Sequence, residues 1–219
     1  MDPNALLNLI KTRRSIRRFQ DRAVAEEDIN KILEAAIWAP TGSNEQELRF
    51  VVITDRTLIE EFRRFKGMVN PPVVILVLVD FATYYASAGH RLRFHPHKQH
   101  LPYVDTGLAL MNMLLMTHSL GLGAVPLNIS SHLCCTVNRS HSLPVRLLRA
   151  IAVRLGISAF GVVFFDRFLR RLGLDPRRYI PAGGVAIGYP AEMVDATSRQ
   201  YRGKPIQRQG LDHYLLGRF

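Results

Sequence analysis

Apolar residues recur at helical spacing twice near the N-terminus. Leu6, Leu7 and Ile10 share one face of a short helix that Asp2-Pro3 opens and that runs to Lys11. Proline is tolerated there because a first-turn N–H has no partner inside the helix. Ile29, Ile32, Leu33, Ala36 and Ile37 predict a second helix over 26–38, which Pro40 ends. Residues 48–54 predict a strand and 58–65 a helix. The run 73–79 (VVILVLV) follows Pro71-Pro72 and is apolar throughout, as expected of a central strand buried on both faces. Residues 103–120 are apolar almost all round, so that helix belongs in a core or an interface. Asp105, Asn112 and His118 interrupt it before it reaches a membrane-spanning length. Gly121-Leu122-Gly123 stops it, 124–127 and 185–187 predict short strands, and an irregular polar tail runs to Phe219.

Helices and strands are mixed without a regular βαβ alternation. This predicts an α+β fold, a mixed sheet sandwiched by helices, in a single domain spanning 1–219. An apolar fraction of 47% and a charged fraction of 21% fit a globular chain of 219 residues. Neither a G-x-G-x-x-G nor a G-x-x-x-x-G-K-[ST] pattern occurs, which argues against a dinucleotide fold or a P-loop. The formal charge of +11 is concentrated between 138 and 179, where nine Arg face two Asp. Cys134 and Cys135 are adjacent and read as reduced thiols rather than a disulfide framework. The N-terminus has no basic-then-apolar signal pattern, so a cytoplasmic location is expected.

Two segments carry candidate chemistry. Lys11–Phe19 (KTRRSIRRF) offers guanidinium forks and a serine hydroxyl to a phosphate, with Ile16 and Phe19 placed to anchor the stretch. The loop 39–46 (APTGSNEQ) carries amide side chains that present both donor and acceptor to the edge of a heterocycle. Alone, each reads as an ordinary basic turn and an ordinary helix-ending loop.

Together they resemble the nitroreductase family. That family opens with R-[RH]-S-x-[RK]-x-F, matched by Arg13-Arg14-Ser15-Ile16-Arg17-Arg18-Phe19, and continues with a [SA]-P-[ST]-x-x-N-x-Q loop, matched by residues 39–46. Asp105-Thr106-Gly107, Asn112 and residues 120–126 (LGLGAVP) resemble its central helix and the strand behind the flavin. Residues 183–190 (GGVAIGYP) and 201–205 (YRGKP) resemble its tail. The four motifs occur in the family's order.

The resemblance implies a homodimer that binds FMN at its interface and uses NAD(P)H in a ping-pong cycle. Arg13, Ser15, Arg202 and Lys204 would hold the phosphate, while Arg14 and Arg17 would lie along the ribityl chain and the pyrimidine edge. Pro40, Thr41, Gly42, Asn44 and Gln46 would come from the partner chain, and Pro126, Leu127 and Asn128 would face the ring. The chemistry is flavin-centred, so no side-chain acid or base is obligatory. The expected acceptor is a small electron-poor compound of nitro or quinone type. The alternatives are a flavin dehydrogenase or dehalogenase with one dedicated substrate, and a docked flavin-binding protein with little turnover. Glu47-Leu48 stands where the family has Pro-Trp, so this loop is expected to sit differently.

Residues 140–179 read as a basic helical insertion. Its apolar run 156–165 between arginines fits a lid over the flavin mouth, or contact with an anionic membrane surface through 145–172, and is read against nucleic acid. His90, His95, His97 and His100 have no acid or Cys among them, and no metal is assigned. That loop is expected to border the substrate cavity, with Tyr84, Tyr85 and His95 as substrate contacts.

Overall fold

A computed structural model describes residues 2–60, 68–80, 82–84, 101–127, 167–191, 200–201, 204–205, 208 and 211–214. Helix α1 (Pro3–Thr12) is capped by Asp2, whose carboxylate accepts from the Asn4 N–H at 2.9 Å. Helix α2 (Glu26–Ile37) starts with three acids that suit the positive end of its dipole. Strands β1 (Leu48–Ile53), β2 (Val73–Asp80), β3 (Gly123–Leu127) and β4 (Tyr179–Gly188) form one sheet in the order β1-β2-β4-β3. Helix α3 (Leu101–Ser119) lies against β4 and packs on α2. The tail contributes a two-stranded ribbon, β5 (Gln200–Tyr201) with β6 (Lys204–Pro205), and a short helix, Leu211–Tyr214.

The sheet is sandwiched as the hydropathy predicts. Val73, Ile75 and Val77 of β2 point to the α2/α3 side, while Val74, Leu76 and Leu78 point to the other. All eight residues of β2 are buried, each Val, Ile or Leu contributing about 1.5–3 kcal/mol. The second face is covered by Ile16, Phe19, Ile59 and Met68, and by Phe168 and Leu169 of a helical turn at 167–171. The four strands pair antiparallel. Parallel pairing enters through the bridges Ser15–Ala124 and Arg18–Val69.

Strand β4 begins at Tyr179, earlier than the expected strand at 185–187. Pro181, Gly183 and Gly184 disguise the strand. The register slips there, with Leu78 opposite Pro181 and Val77 opposite Gly183, so proline sits at a bulge where a missing N–H is tolerated. Gly183 is required by α3: a Cβ would stand 2.8 Å from Leu110 Cδ1.

The helical turn at 167–171 directs its apolar side chains inward. Phe168 and Leu169 are 1% exposed in the core, whereas Arg167, Arg170 and Arg171 face outward. Arg178 grips the buried Asp80 through Nε at 3.1 Å and Nη2 at 2.8 Å. Residues 128–166, with the rest of the insertion and both cysteines, lie outside the described residues. Among the described residues no helix is long and apolar enough to cross a membrane.

Candidate functional site

The arginine segment is an extended strip stitched to three neighbours. Ile16 N–H donates to Ala124 O of β3 at 2.9 Å. Phe19 N–H donates to Val69 O at 3.0 Å, and Val69 N–H returns a bond to Arg17 O at 2.8 Å. Gln20 N–H donates to Tyr189 O, and Ala191 N–H to Arg18 O. Ile16 and Phe19 are buried, as their spacing suggests. Gly123 makes the close approach feasible, since a Cβ there would stand 2.8 Å from the Ile16 side chain. The first, third and fourth sequence motifs therefore meet at one edge of the sheet.

At that edge the positive charges are left facing one another. Arg14 turns its Nη1 onto the carbonyls of Lys11 (2.6 Å) and Arg13 (2.8 Å), the exposed end of α1. Arg13 Nη1 is buried and makes no hydrogen bond. Burial, then Arg14, then Arg208 lower the Arg13 pKa. Arg208 of the tail was not expected from the motifs, although it lies in the same basic stretch as Arg202 and Lys204. A cavity of about 540 Å³ opens beside Arg13, Arg14, Arg22, His118 and Tyr189. Burial first, then the charges of Arg13 and Arg14, hold His118 below its ordinary pKa. Thr12 Oγ1 gives its proton to Asn8 O at 2.8 Å, so at 2.9 Å His118 Nε2–H is the donor to Thr12. Arg22 stacks over Tyr189, 3.8 Å from the ring centre.

Ser15 bridges to Ala124 at this edge, and Arg17 is exposed beside it. Pro126 and Leu127 follow on β3, the sheet's edge strand. Pro126 is exposed, and its missing N–H falls on the same outer side as the Ala124 carbonyl, where no strand needs it.

The second segment lies elsewhere. After Trp38 the chain turns through Pro40 and Thr41 into a single 3₁₀ turn, Gly42–Asn44. Ser43, Asn44 and Gln46 have φ of 55°, 56° and 51°. Left-handed backbone costs about 1–2 kcal/mol for residues with a Cβ, less for Asn. Such strain collects at ligand clamps. The loop is held by Thr41, whose Oγ1 accepts from Gln46 N–H at 3.1 Å, and by Asp105 of α3, whose Oδ2 accepts from Gly42 N–H at 3.0 Å. Thirteen residues of α3 separate Asp105 from His118, about 20 Å of helix. Within one protomer the Asn44 loop and the arginine strip thus lie near opposite ends of α3.

Of the remaining expected contacts, Tyr84 is buried in a small cluster with Val79, Ile180 and Ala182, against Leu48 and Tyr103. It packs the sheet rather than facing a cavity. Lys204 is placed by its backbone in β6. Asn128, Arg202, Tyr85, His95 and the other histidines of that loop lie outside the described residues. Among the described residues no cluster of His, Cys, Asp and Glu could hold a metal.

Residues 10–71, which include both the arginine strip and the 40–46 loop, match the nitroreductase family. A protein of Methanothermobacter thermautotrophicus, to which NADH dehydrogenase/NAD(P)H nitroreductase activity is ascribed, is 32% identical over 194 residues, covering 85% of this chain and 78% of that one. The FMN reductase (NAD(P)H) of Bacillus subtilis is 27% identical over 57% of this chain and 54% of its own. A crystal structure from Desulfovibrio desulfuricans, assigned as a nitroreductase and solved in complex with FMN, superposes with a TM-score of 0.63. It is 29% identical, covering 100% of this chain and 98% of that one. The chain belongs to the nitroreductase family.

Proposed function

We propose that this chain is an FMN-dependent oxidoreductase that takes electrons from NAD(P)H and passes them to a small electron-poor acceptor of nitro or quinone type. The observation that carries the reading is Arg13 Nη1, a buried donor without a partner among the described residues, on a half-buried guanidinium crowded by Arg14 and Arg208. The residues present fit the phosphate of FMN. Arg13, Ser15 and Arg208 would hold it, with Arg202 and Lys204 as the tail's further cations, and Arg14 and Arg17 would run beside the ribityl chain toward the ring. Pro126, Leu127 and Asn128 of the edge strand would back the ring. When bound, the flavin supplies the centre that accepts hydride and donates electrons. The protein's own part is to bind, orient and exclude water, and no side-chain acid or base is assigned.

The working unit in this reading is a homodimer. Val104, Leu108 and Met111 form an exposed apolar stripe on α3, 50%, 41% and 38% accessible, and Ile37 and Trp38 stand out at 66% and 78%. Leu6, Leu7 and Ile10 of α1 are likewise uncovered. An apolar surface of this kind is expected to be buried against a second copy. The roughly 20 Å between the arginine strip and the Asn44 loop supports a site completed by Pro40, Thr41, Gly42, Asn44 and Gln46 of the second chain. One cavity would then serve NAD(P)H and acceptor in turn, in keeping with a sequence that has no nicotinamide fingerprint.

The test is to reconstitute the purified protein with FMN and to add NADH or NADPH without oxygen. Retained yellow colour that bleaches on addition of nicotinamide supports the reading. Protein that takes up no FMN overturns it.

A further inference from the structure

Glu47 replaces the family's proline where the 40–46 loop enters β1, and its side chain is wholly buried. Among the described residues neither carboxyl oxygen has a hydrogen-bond partner of good geometry. Asp105, 4% exposed, lies against it from α3 and accepts the Gly42 N–H that fixes the loop. Among the described residues the charges that act on Glu47 are Asp105 and Glu45, both acids. Nearby cations on the sheet are engaged elsewhere. Arg49 donates to the carbonyls of Gln46 and Leu48 at 2.8 Å each and to Thr83 at 3.2 Å, and it stands 3.6 Å from Asp80. Arg178 is bound to Asp80, whose backbone N–H donates to Glu47 O at 2.8 Å.

An ionised Glu47 would be a buried charge without a donor, facing a second carboxylate. A protonated Glu47 instead becomes a donor. Its hydroxyl reaches Asp105, which keeps its other lone pairs for Gly42. We propose that Glu47 carries a proton that it donates to Asp105, and that this hydrogen bond holds the 40–46 loop in the conformation that presents Asn44, making both acids positioning residues for the flavin site. The proposal rests on the reading of that loop as flavin-facing. Burial first pushes Glu47 up to about 7, against the pull of its own backbone N–H, with the Asp105 charge and hydrogen bond and then the Glu45 charge adding to the rise. Loss of the proton places two like charges side by side and weakens the Gly42 anchor of a loop already strained at three residues.

The chain's single tryptophan, Trp38, stands at the entrance to this loop and reports on it without flavin. The experiment follows Trp38 emission of the full-length apo protein against pH, then the FMN dissociation constant by flavin fluorescence quenching, for wild type and Glu47→Gln. The Gln amide donates to Asp105 at every pH. Wild type is expected to show one emission step near neutrality, with the FMN dissociation constant rising about tenfold per pH unit above it. In E47Q both curves are expected to be flat. A wild type with no emission step, or a step that persists in E47Q, overturns the Glu47 proton. If FMN binds at no pH, the functional reading fails, while the emission step still decides whether the pair exists.

Discussion

Replacing Arg13 by Met should move stability and cofactor affinity in opposite directions. Met keeps the apolar stem and volume of the arginine and removes its charge. In the apo protein Arg13 is a cation pressed by burial and by Arg14 and Arg208, with Nη1 unused. Relieving each like-charge contact contributes about 0.5 kcal/mol at this exposure. Two such contacts amount to about 1 kcal/mol, or about 2–4 °C in the melting temperature of a chain this size. A charge-assisted hydrogen bond to phosphate contributes about 1.5–3 kcal/mol, so losing one weakens FMN about ten- to hundredfold. The assays are thermal unfolding with and without FMN, and flavin quenching over a series of salt concentrations. The wild-type affinity should fall more steeply with salt than the variant's. An R13M protein that melts lower without FMN and binds FMN as tightly as wild type would refute the argument and make Arg13 a structural residue.

Other substitutions test other joints. Asp80→Asn removes the negative charge and one of the two acceptor oxygens that Arg178 bonds, and because Arg178 is half exposed the loss is screened to about 1–2 kcal/mol in urea unfolding at neutral pH. Burial alone would raise the Asp80 pKa, but hydrogen bonds from Arg178 and Thr83 outweigh it and hold the carboxyl low. Its contribution is therefore present above the ordinary carboxylate range and lost as pH falls through the lowered value, so the gap between D80N and wild type should close in acid. Gly123→Ala drives a Cβ into Ile16 and should cost about 1–3 kcal/mol, with FMN affinity falling as the arginine strip is pushed off β3. If the exposed apolar stripe on α3 is the proposed dimer interface, Leu108→Arg should sediment as a monomer and lose flavin where the wild type sediments as a dimer; a flavin-bearing L108R dimer would move the interface elsewhere.

Much of the fold was legible because its signals are local. The apolar run of β2, the helical spacing of α2 and the all-round apolar α3 each follow from burial on one or both faces. The start of β4 was hidden, because a bulge at Pro181 and the close approach of α3 at Gly183 select residues that imitate a loop. In the arginine strip, Ile16 and Phe19 could be read as buried anchors from their place among the charges, whereas the roles expected of Arg13, Arg14 and Ser15 come from the family resemblance. Asp105, Arg208 and His118 could not be given roles, since each acts through a neighbour distant in sequence. The Asp105 bond to Gly42 spans 63 residues and the His118 bond to Thr12 spans 106. The burial of Tyr84 could not be read in advance, because an aromatic residue after a central strand serves equally as a substrate wall or as core. Glu47 was visible as a departure from pattern, but its meaning depends on a second carboxyl that α3 brings to it.

The central claim is that the arginine strip and the edge strand β3 hold a flavin that NAD(P)H can reach. Its most direct test is anaerobic titration of the FMN-reconstituted protein with each nicotinamide, followed in the visible flavin bands. Stoichiometric bleaching by NADH or NADPH, reversed by a nitro or quinone acceptor, is the predicted result. A protein that remains colourless after reconstitution, or a bound flavin that neither nicotinamide reduces, would contradict it.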